Sequence, residues 1–540
     1  MLTSAILSFL AAHYLPIAAV LLALHLIRNY FRHGLHRYPG PWLARLTDFW
    51  RLWDVYNQAP HKTHLALHAR HGDVVRLGPN VLSFSSPAAV KDIYGLNKGF
   101  IKSDFYIVQQ SIVQGRRLAS LFSTTSNAFH ATFRRCVSSA FAMSALVGYE
   151  PFVDNTTRLF LDRTEELFAQ KPNSDAPESC DLPRWLQFYA FDVIGEITYS
   201  KRHGFIERNE DVDGIVGYLA RLFVYVAPIG QMPFLDLLFL KNPLYLKLSQ
   251  WGLIDSTFPV AQFARTRLAE RVPNLSSSPD ILKPTSSPSK PDLLTKFLNA
   301  HAAHPSVMTP TLVQTMAVSM AFAGSETTAI TLSAIFYMLL RHPRALDALR
   351  DEIDAAASRS HFADRTTGLT TFAEAQRLPY LGAVIQEAFR VHPAAGLPLE
   401  RVTPAGGAVI DGHHVPGGTI VGVSAWVLHQ RSEIFGADAD KFRPERWLVD
   451  PTADLVAEEK RLKTMNGFML QFGMGSRTCI GKNISLLEIY KLVPSMLRRF
   501  DITLANPKEE WKLINAWFVK VENFNVHLKK RELVQPGTSL

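Results

Sequence analysis

The segment Phe472-Gly473-Met474-Gly475-Ser476-Arg477-Thr478-Cys479-Ile480-Gly481 constrains this 540-residue chain more than any other. An apolar, helix-like run to about Leu497 follows it. Cys479 therefore sits just ahead of a helix N-terminus, where free N–H groups and the macrodipole stabilise a thiolate. Glycines at 473, 475 and 481 let the backbone turn sharply and lie close to a flat ligand, and N–H groups around the sulfur tune its electron donation. Arg477 offers a fork for a carboxylate two residues from the sulfur. These are the needs of a haem iron held by one cysteine thiolate with a propionate anchored beside it. The plainer reading is a glycine-rich turn around an ordinary buried cysteine. Six fixed residue types at fixed spacing arise by chance in fewer than roughly one in 10^5 chains of ordinary composition.

At these residues the sequence resembles the cytochrome P-450 superfamily of haem-thiolate monooxygenases, whose cysteine pattern is FxxGxRxC with a glycine two residues on. The resemblance implies a mainly α fold with a minor β portion, built as a single large haem domain. It makes Cys479 the axial ligand of haem b (iron protoporphyrin IX) and sets Arg477 on a propionate. Glu387-Ala388-Phe389-Arg390 fits the family's ExxR motif, although Glu458-Glu459-Lys460-Arg461 satisfies the same pattern. Order selects the first, because Phe442-Arg443-Pro444-Glu445-Arg446-Trp447 follows it upstream of the cysteine. By resemblance Glu387, Arg390 and Arg446 form a buried structural triad; the alternative is three surface charges. Two cations around one carboxylate satisfy each other where a lone charge could not be buried.

Within the apolar run Met308 to Leu340 lies Ala323-Gly324-Ser325-Glu326-Thr327-Thr328. A carboxylate and hydroxyls inside an apolar helix are costly unless used or paired. Thr327 can bond back to the carbonyl of Ala323, loosening the ladder beside Gly324 and opening a groove for water. The stretch looks like the family's oxygen-binding motif AGxDT with Glu replacing Asp, which implies that Thr327 and Glu326 manage the protons for O–O cleavage. The alternative is a polar helix interface without catalytic duty. His130 and Arg134 match the family's WxxxR position with His for Trp, and Arg401 follows the ExxR helix where the family has another Arg. By resemblance these three are further cations for the propionates, with Arg401 in a loop. Cys136 and Cys180 read as bystanders.

From Ala5 to Ile27 the chain has no Asp, Glu, Lys or Arg, and such a run spans about 34 Å as a helix, enough to cross a bilayer. Arg28, Arg32 and Arg37 cluster on its C-terminal side, which leaves the rest of the chain cytosolic. The expected organisation is a membrane anchor over 1–30, a basic, Pro-rich hinge over 31–45 around Tyr38-Pro39-Gly40-Pro41-Trp42, and the haem domain over 46–540. On this topology the sequons at Asn155, Asn274 and Asn483 are unused. The Ser- and Pro-rich stretch Pro273 to Pro291 reads as a surface loop. Short strands are expected at Val74–Leu77, Ala408–Ile410 and Thr419–Val421. A 47% hydrophobic composition excludes a disordered chain, and 3 Cys exclude a disulfide framework. The net charge of +9 comes without a basic block, so nucleic acid is a poor partner.

Gly230-Gln231-Met232-Pro233-Phe234-Leu235-Asp236, Lys241-Asn242-Pro243 and Phe191-Asp192-Val193-Ile194-Gly195 resemble fungal microsomal members similar to pisatin demethylase. That resemblance implies an endoplasmic-reticulum enzyme acting on a lipophilic secondary metabolite. Its electrons would come from NADPH-cytochrome P-450 reductase, a diflavin protein, with cytochrome b5 as a second donor. Docking cations are expected at Arg135, Lys482 and Lys491. The pocket is expected from Phe100 to Phe122, Leu219 to Pro233, the helix near Ala323 and Ala394 to Leu399. Two rivals stay open: an O2-independent haem-thiolate isomerase or dehydratase, and a haem-binding sensor without turnover.

Overall fold

The computed structural model describes residues 2–170, 178–271, 292–358 and 369–532. Helices dominate and the strands are short, so the mainly α reading holds. The apolar N-terminal run forms helix α1, Leu2–Phe31. Tyr14, Leu15, Val20, Leu21 and Leu24 stand exposed on it, and its length and composition suit a membrane crossing. Apolar surface left in water costs roughly 25 cal/mol per Å², so lipid is the solvent this helix fits.

The Pro-rich segment that follows is fastened to the body. Arg76, fully buried, donates to the carbonyls of Asn29, Tyr30, Gly78 and Pro79 at 2.7 to 3.1 Å, and its backbone N–H reaches Pro39 O at 2.7 Å. Gly40 permits this approach, since a Cβ there would lie 2.2 Å from the Arg76 carbonyl oxygen.

Strands β1 (Val74–Gly78), β2 (Val81–Phe84), β3 (Ile101–Lys102), β4 (Arg401–Val402) and β5 (Ile420–Val423) form a sheet in the order β1-β2-β5-β4-β3. Only β5 against β2 is parallel. Ala408–Ile410 pairs with His413–Val415 in a separate hairpin. Arg401, expected in a loop, opens β4 directly across from Lys102.

Five helices position the site: α2 (Asn127–Val137), α3 (Leu182–Tyr199), α4 (Pro310–Arg341), α5 (Pro379–Val391) and α6 (Lys482–Arg499). α4 starts at Thr309, whose side chain accepts from Leu312 N–H ahead of Pro310 at the first helical position. It stops before His342-Pro343, because proline drives its predecessor out of the helix. α3 packs along α4 and is buried almost throughout from Trp185 to Tyr199. A Cβ on Gly324 would meet Ile194 Cγ1 of α3 at 2.8 Å. That glycine serves helix packing, and α4 runs unbroken past it.

The residues shared with the fungal microsomal members act as joints. Asp236 is buried against Lys241 Nζ at 2.8 Å, and Asp192 accepts from the N–H groups of His203, Gly204 and Ile206 at 2.7 to 2.9 Å. Asn155 and Asn483 lie in helices with their amides bonded to Glu196 and to Phe141 O. Asn274 and the stretch Pro273 to Pro291 lie outside the described residues. Cys136 and Cys180 are free thiols, the latter buried in a strand paired with Val526.

Candidate active site

Cys479 faces a cavity of about 310 Å³ between α4 and the glycine-rich loop. The residue is accessible, yet what it is open to is this interior chamber, deep within the protein. Its own N–H bonds Phe472 O at 2.8 Å and closes the loop. The N–H groups of Gly481 and Lys482, at the head of α6, lie near the sulfur and favour its thiolate. Burial pushes the thiol up, opposed by those N–H groups and by the charges of Arg134 and Lys482. Gly475 has φ +69°, and a Cβ there would lie 2.0 Å from Tyr94 O. The loop is thus pressed against another stretch of backbone, where only glycine fits.

His130, Arg134, Arg401 and Arg477 all line this cavity with Cys479. Arg134 Nη1 donates to Thr478 O at 2.7 Å, and Arg401 Nη1 to Glu400 O at 2.8 Å. Arg477 reaches Thr124 O at 3.0 Å and Asn127 Oδ1 at 2.8 Å, tying the loop to the start of α2. Among the described residues these guanidiniums have carbonyl and amide partners and no carboxylate. Lys102, which sequence reading passes over, joins them. It is Arg401's direct partner across two antiparallel strands, and its Nζ donates to Phe122 O at 2.5 Å.

Like charges set opposite each other on neighbouring strands repel. Burial, then Arg401 and Arg477, hold the Lys102 ammonium well below its ordinary range. Burial, then Arg477, Arg134, Lys102 and Arg401, push the His130 imidazole down to about 3. Arg477 falls to about 10, through burial and the neighbouring Arg401. So much positive charge, with Lys102 and Arg401 buried and Arg134 and Arg477 half-buried and no counter-charge beside them, calls for a bound dianion. The two propionates of a haem are such a dianion, its flat ring suits the glycine-lined loop, and the residues present fit the group.

Thr327 lines the same cavity, and its Oγ1 donates back to Ala323 O at 3.0 Å, the bond its spacing suggests. Thr328 Oγ1 meets Ser485 Oγ at 3.1 Å and links α4 to α6. Glu326 is on another face, since consecutive helical residues point about 100° apart. Its buried carboxylate accepts from Gln187 Nε2 at 2.6 Å and pairs with Lys520 Nζ at 2.8 Å. It lines a second, more open cavity that also holds Asp181 and Arg184, and it is not part of the Cys479 cavity wall. Glu488 of α6, also passed over, is buried in that wall with neither oxygen hydrogen-bonded. Burial raises its carboxyl well above the usual range.

The remaining wall is aromatic and aliphatic, with Tyr106, Phe122, Met316, Phe322, Trp517 and Phe518 prominent. No residue of the expected stretch Leu219 to Pro233 reaches it. That helix, Ile215–Ile229, stands one layer back, with Phe223 packed on Phe322 and Phe518 at ring separations of 5.1 and 4.9 Å. Its place is taken by the tip of a hairpin of β6 (Lys512–Ala516) and β7 (Phe518–Glu522).

Behind the loop, Glu387 is fully buried. It accepts from Arg390 Nη2 at 2.7 Å, Arg390 Nε at 2.8 Å and Arg446 Nε at 2.9 Å. Trp447 Nε1 and the Arg443 N–H complete its shell at 2.9 and 2.8 Å. The look-alike pair Glu458 and Arg461 also bonds, but on a separate helix, Leu455–Gly467, with Arg461 35% exposed. Arg135 and Lys482 are exposed. Lys491 is not, being buried between Glu150 and Asp154 at 2.7 Å each, so it leaves the docking set.

A flat dianion that also takes a thiolate answers both demands of this cavity, which makes it a haem-thiolate site. The chain belongs to the cytochrome P-450 family, whose model matches residues 39–526. It is 41% identical over 514 residues to the cytochrome P-450 monooxygenase cicH of Emericella nidulans, covering 94% of this chain and 97% of that protein. It is 39% identical to a cytochrome P-450 monooxygenase of Aspergillus terreus, covering 90% and 94%. A third relative, the cytochrome P-450 monooxygenase mpaDE of Penicillium roqueforti, is 36% identical over 97% of this chain and 59% of its own length. The chain is accordingly an oxidoreductase of monooxygenase type, with a thiolate-ligated haem as cofactor.

Proposed function

We propose that the protein is an endoplasmic-reticulum monooxygenase that inserts one atom of O2 into a lipophilic fungal secondary metabolite, by hydroxylation or successive oxidation or demethylation. The observation that carries this reading is Cys479, alone among the three cysteines in facing a chamber with buried and half-buried, uncompensated cations on one side and apolar residues on the other. Cys479 would ligate haem b, with Arg134, Arg401, Arg477 and Lys102 as propionate cations and His130 as a ring N–H donor. When bound, the haem supplies O2 activation, and the thiolate's electron density favours O–O cleavage.

The chain's own residues exclude water with the aromatic wall and handle protons. Thr327 Oγ1, released from Ala323 O, holds a hydroxyl proton at the chamber. Glu326 keeps a carboxylate one helix face away, against Lys520, where a more open cavity brings protons from outside. Glu387, Arg390 and Arg446 keep the support of the cysteine loop rigid. Electrons arrive from NADPH through the diflavin reductase, and from cytochrome b5, at the face carrying Arg135 and Lys482. α1 spans the membrane once, with Arg28, Arg32 and Arg37 on the cytosolic side.

The test is the reduced, carbonyl-bound spectrum together with label transfer from isotopic O2 during NADPH-driven turnover of an extract from a disruptant strain. A red-shifted Soret band and one labelled oxygen in the product are expected. Product formed without O2 would replace the reading with the isomerase or dehydratase. A normal spectrum with no ligand-stimulated NADPH use would replace it with the sensor.

A further inference from the structure

We propose that Gln109 and Trp517 are specificity-determining residues that read a hydrogen-bonding end group of the substrate. That substrate is then an apolar molecule ending in a carbonyl beside a donor, as in a carboxamide, a lactam or a neutral carboxylic acid. The inference rests on the reading of the chamber as a lipophilic substrate site.

Both side chains line the Cys479 cavity. Gln109 is 9% exposed, and neither its Nε2 nor its Oε1 has a hydrogen-bond partner. Trp517 is 2% exposed, and its indole Nε1 is likewise unpartnered. Buried polar groups in folded proteins are nearly always hydrogen-bonded. The other buried indoles all have acceptors: Trp185 uses Thr164 Oγ1, Trp426 uses Pro393 O and Trp447 uses Glu387, at 2.8 to 2.9 Å. Buried Gln231 uses both ends of its amide, on Ala227 O and on Arg51. Other buried side chains are also unpartnered, Glu488 and Gln471 in this same wall among them, but Gln109 and Trp517 are the ones set at its aromatic side, where a lipophilic ligand would lie.

The backbone supports the same reading. Ala516 and Phe518 are paired, so Trp517 alone forms the hairpin tip, at φ +75°. A bulky residue in that left-handed region is an outlier of the kind that collects at ligand sites. Its carbonyl is pinned by Gly396 N–H at 2.8 Å, and its ring packs on Phe105, Tyr106 and Phe122 at 4.9 to 6.1 Å. Gln109 follows one turn after Phe105 and Tyr106, capping the short helix Phe105–Val108. Two donors and one acceptor thus stand free at an aromatic wall. A carbonyl oxygen takes the donors, and an adjacent N–H or O–H gives to Gln109 Oε1. A site that binds a substrate through such groups discriminates strongly against analogues lacking them, because its own polar atoms are then left unpaired.

Three naphthalenes alike in size test this with haem-loaded protein: naphthamide (donor and acceptor), acetonaphthone (acceptor only) and ethylnaphthalene (neither). Dissociation constants are read from the ligand-induced spin-state shift and corrected for each probe's octanol–water partition. The amide is expected to bind tightest and the hydrocarbon weakest, with steps of up to about tenfold. Gln109→Leu should erase the amide's advantage over the ketone. Trp517→Phe should shrink the ketone's advantage over the hydrocarbon while Gln109 Nε2 keeps part of it, and the double variant should erase it. Ethylnaphthalene should stay within about threefold in both, and an unchanged thiolate–carbonyl spectrum shows that each variant is folded. Equal corrected affinities for the three probes, or equal loss of all three in a variant, would overturn the proposal and assign these atoms to water or to wall packing. No shift with any probe in protein that binds haem normally would overturn it together with the lipophilic-site reading.

Discussion

Replacing Cys479 by alanine removes the sulfur and leaves the N–H groups of Gly481 and Lys482 in place. Haem should then be lost, or bound without the red-shifted carbonyl Soret band, while Cys136→Ala and Cys180→Ala keep it; difference spectroscopy of the three variants decides. Thr327→Ala leaves the cation cluster untouched. NADPH use is expected to continue while peroxide rises and product falls, which parallel peroxide and product assays measure. Glu387→Gln leaves two guanidiniums buried around one amide. Breaking a buried pair from one side costs roughly 3–5 kcal/mol, visible as a lowered denaturation midpoint and a small haem-loaded fraction. Cys479 and Glu387 were legible because their partners recur at fixed short spacings. Lys102 was not, since only strand register sets it opposite Arg401, about three hundred residues later in the chain. The downward push on His130 was not readable either, because it comes from burial and from charges that meet only on folding.

At the scale of elements, the cysteine loop meets the end of another helix at Tyr94 through Gly475. Gly475→Ala would force a non-glycine residue into the left-handed region at about 1–2 kcal/mol and drive a methyl into a carbonyl that belongs to packed backbone. Loss of haem retention is expected, measured as the carbonyl-active fraction per mole of protein. Hydrophobic periodicity and end signals revealed α1, α4 and α6 well, since each is long and either apolar or capped. The β6–β7 hairpin tip escaped notice because Ala516-Trp517-Phe518 carries no turn residue. The helix Ile215–Ile229 looked like pocket wall because composition cannot tell a first layer from a second.

For the whole molecule, two surfaces matter. Arg135→Glu with Lys482→Glu should slow reductase-driven turnover, most at low ionic strength, and spare peroxide-driven turnover, because charge steering acts on association and is screened by salt. Stopped-flow reduction across a salt series measures it. The other surface carries exposed Trp42, Leu43, Phe49, Trp53 and Tyr56, with Phe234, Leu238 and Phe239. Arg51 bonds Gln231 at 2.6 Å and links the two groups. A chain lacking residues 2–31 is expected to keep part of its affinity for lipid vesicles, read by flotation, and Phe49→Ser with Phe239→Ser should remove most of it. Membrane attachment was legible from α1 alone; this second face was not, because its residues are scattered along the sequence. Arg76, gripping the carbonyls of Asn29 and Tyr30, has a mechanical consequence. With no slack between bilayer helix and body, the two turn as one rotor, so polarised absorption of the haem should decay by spinning about the membrane normal without the fast wobble of a tethered globule.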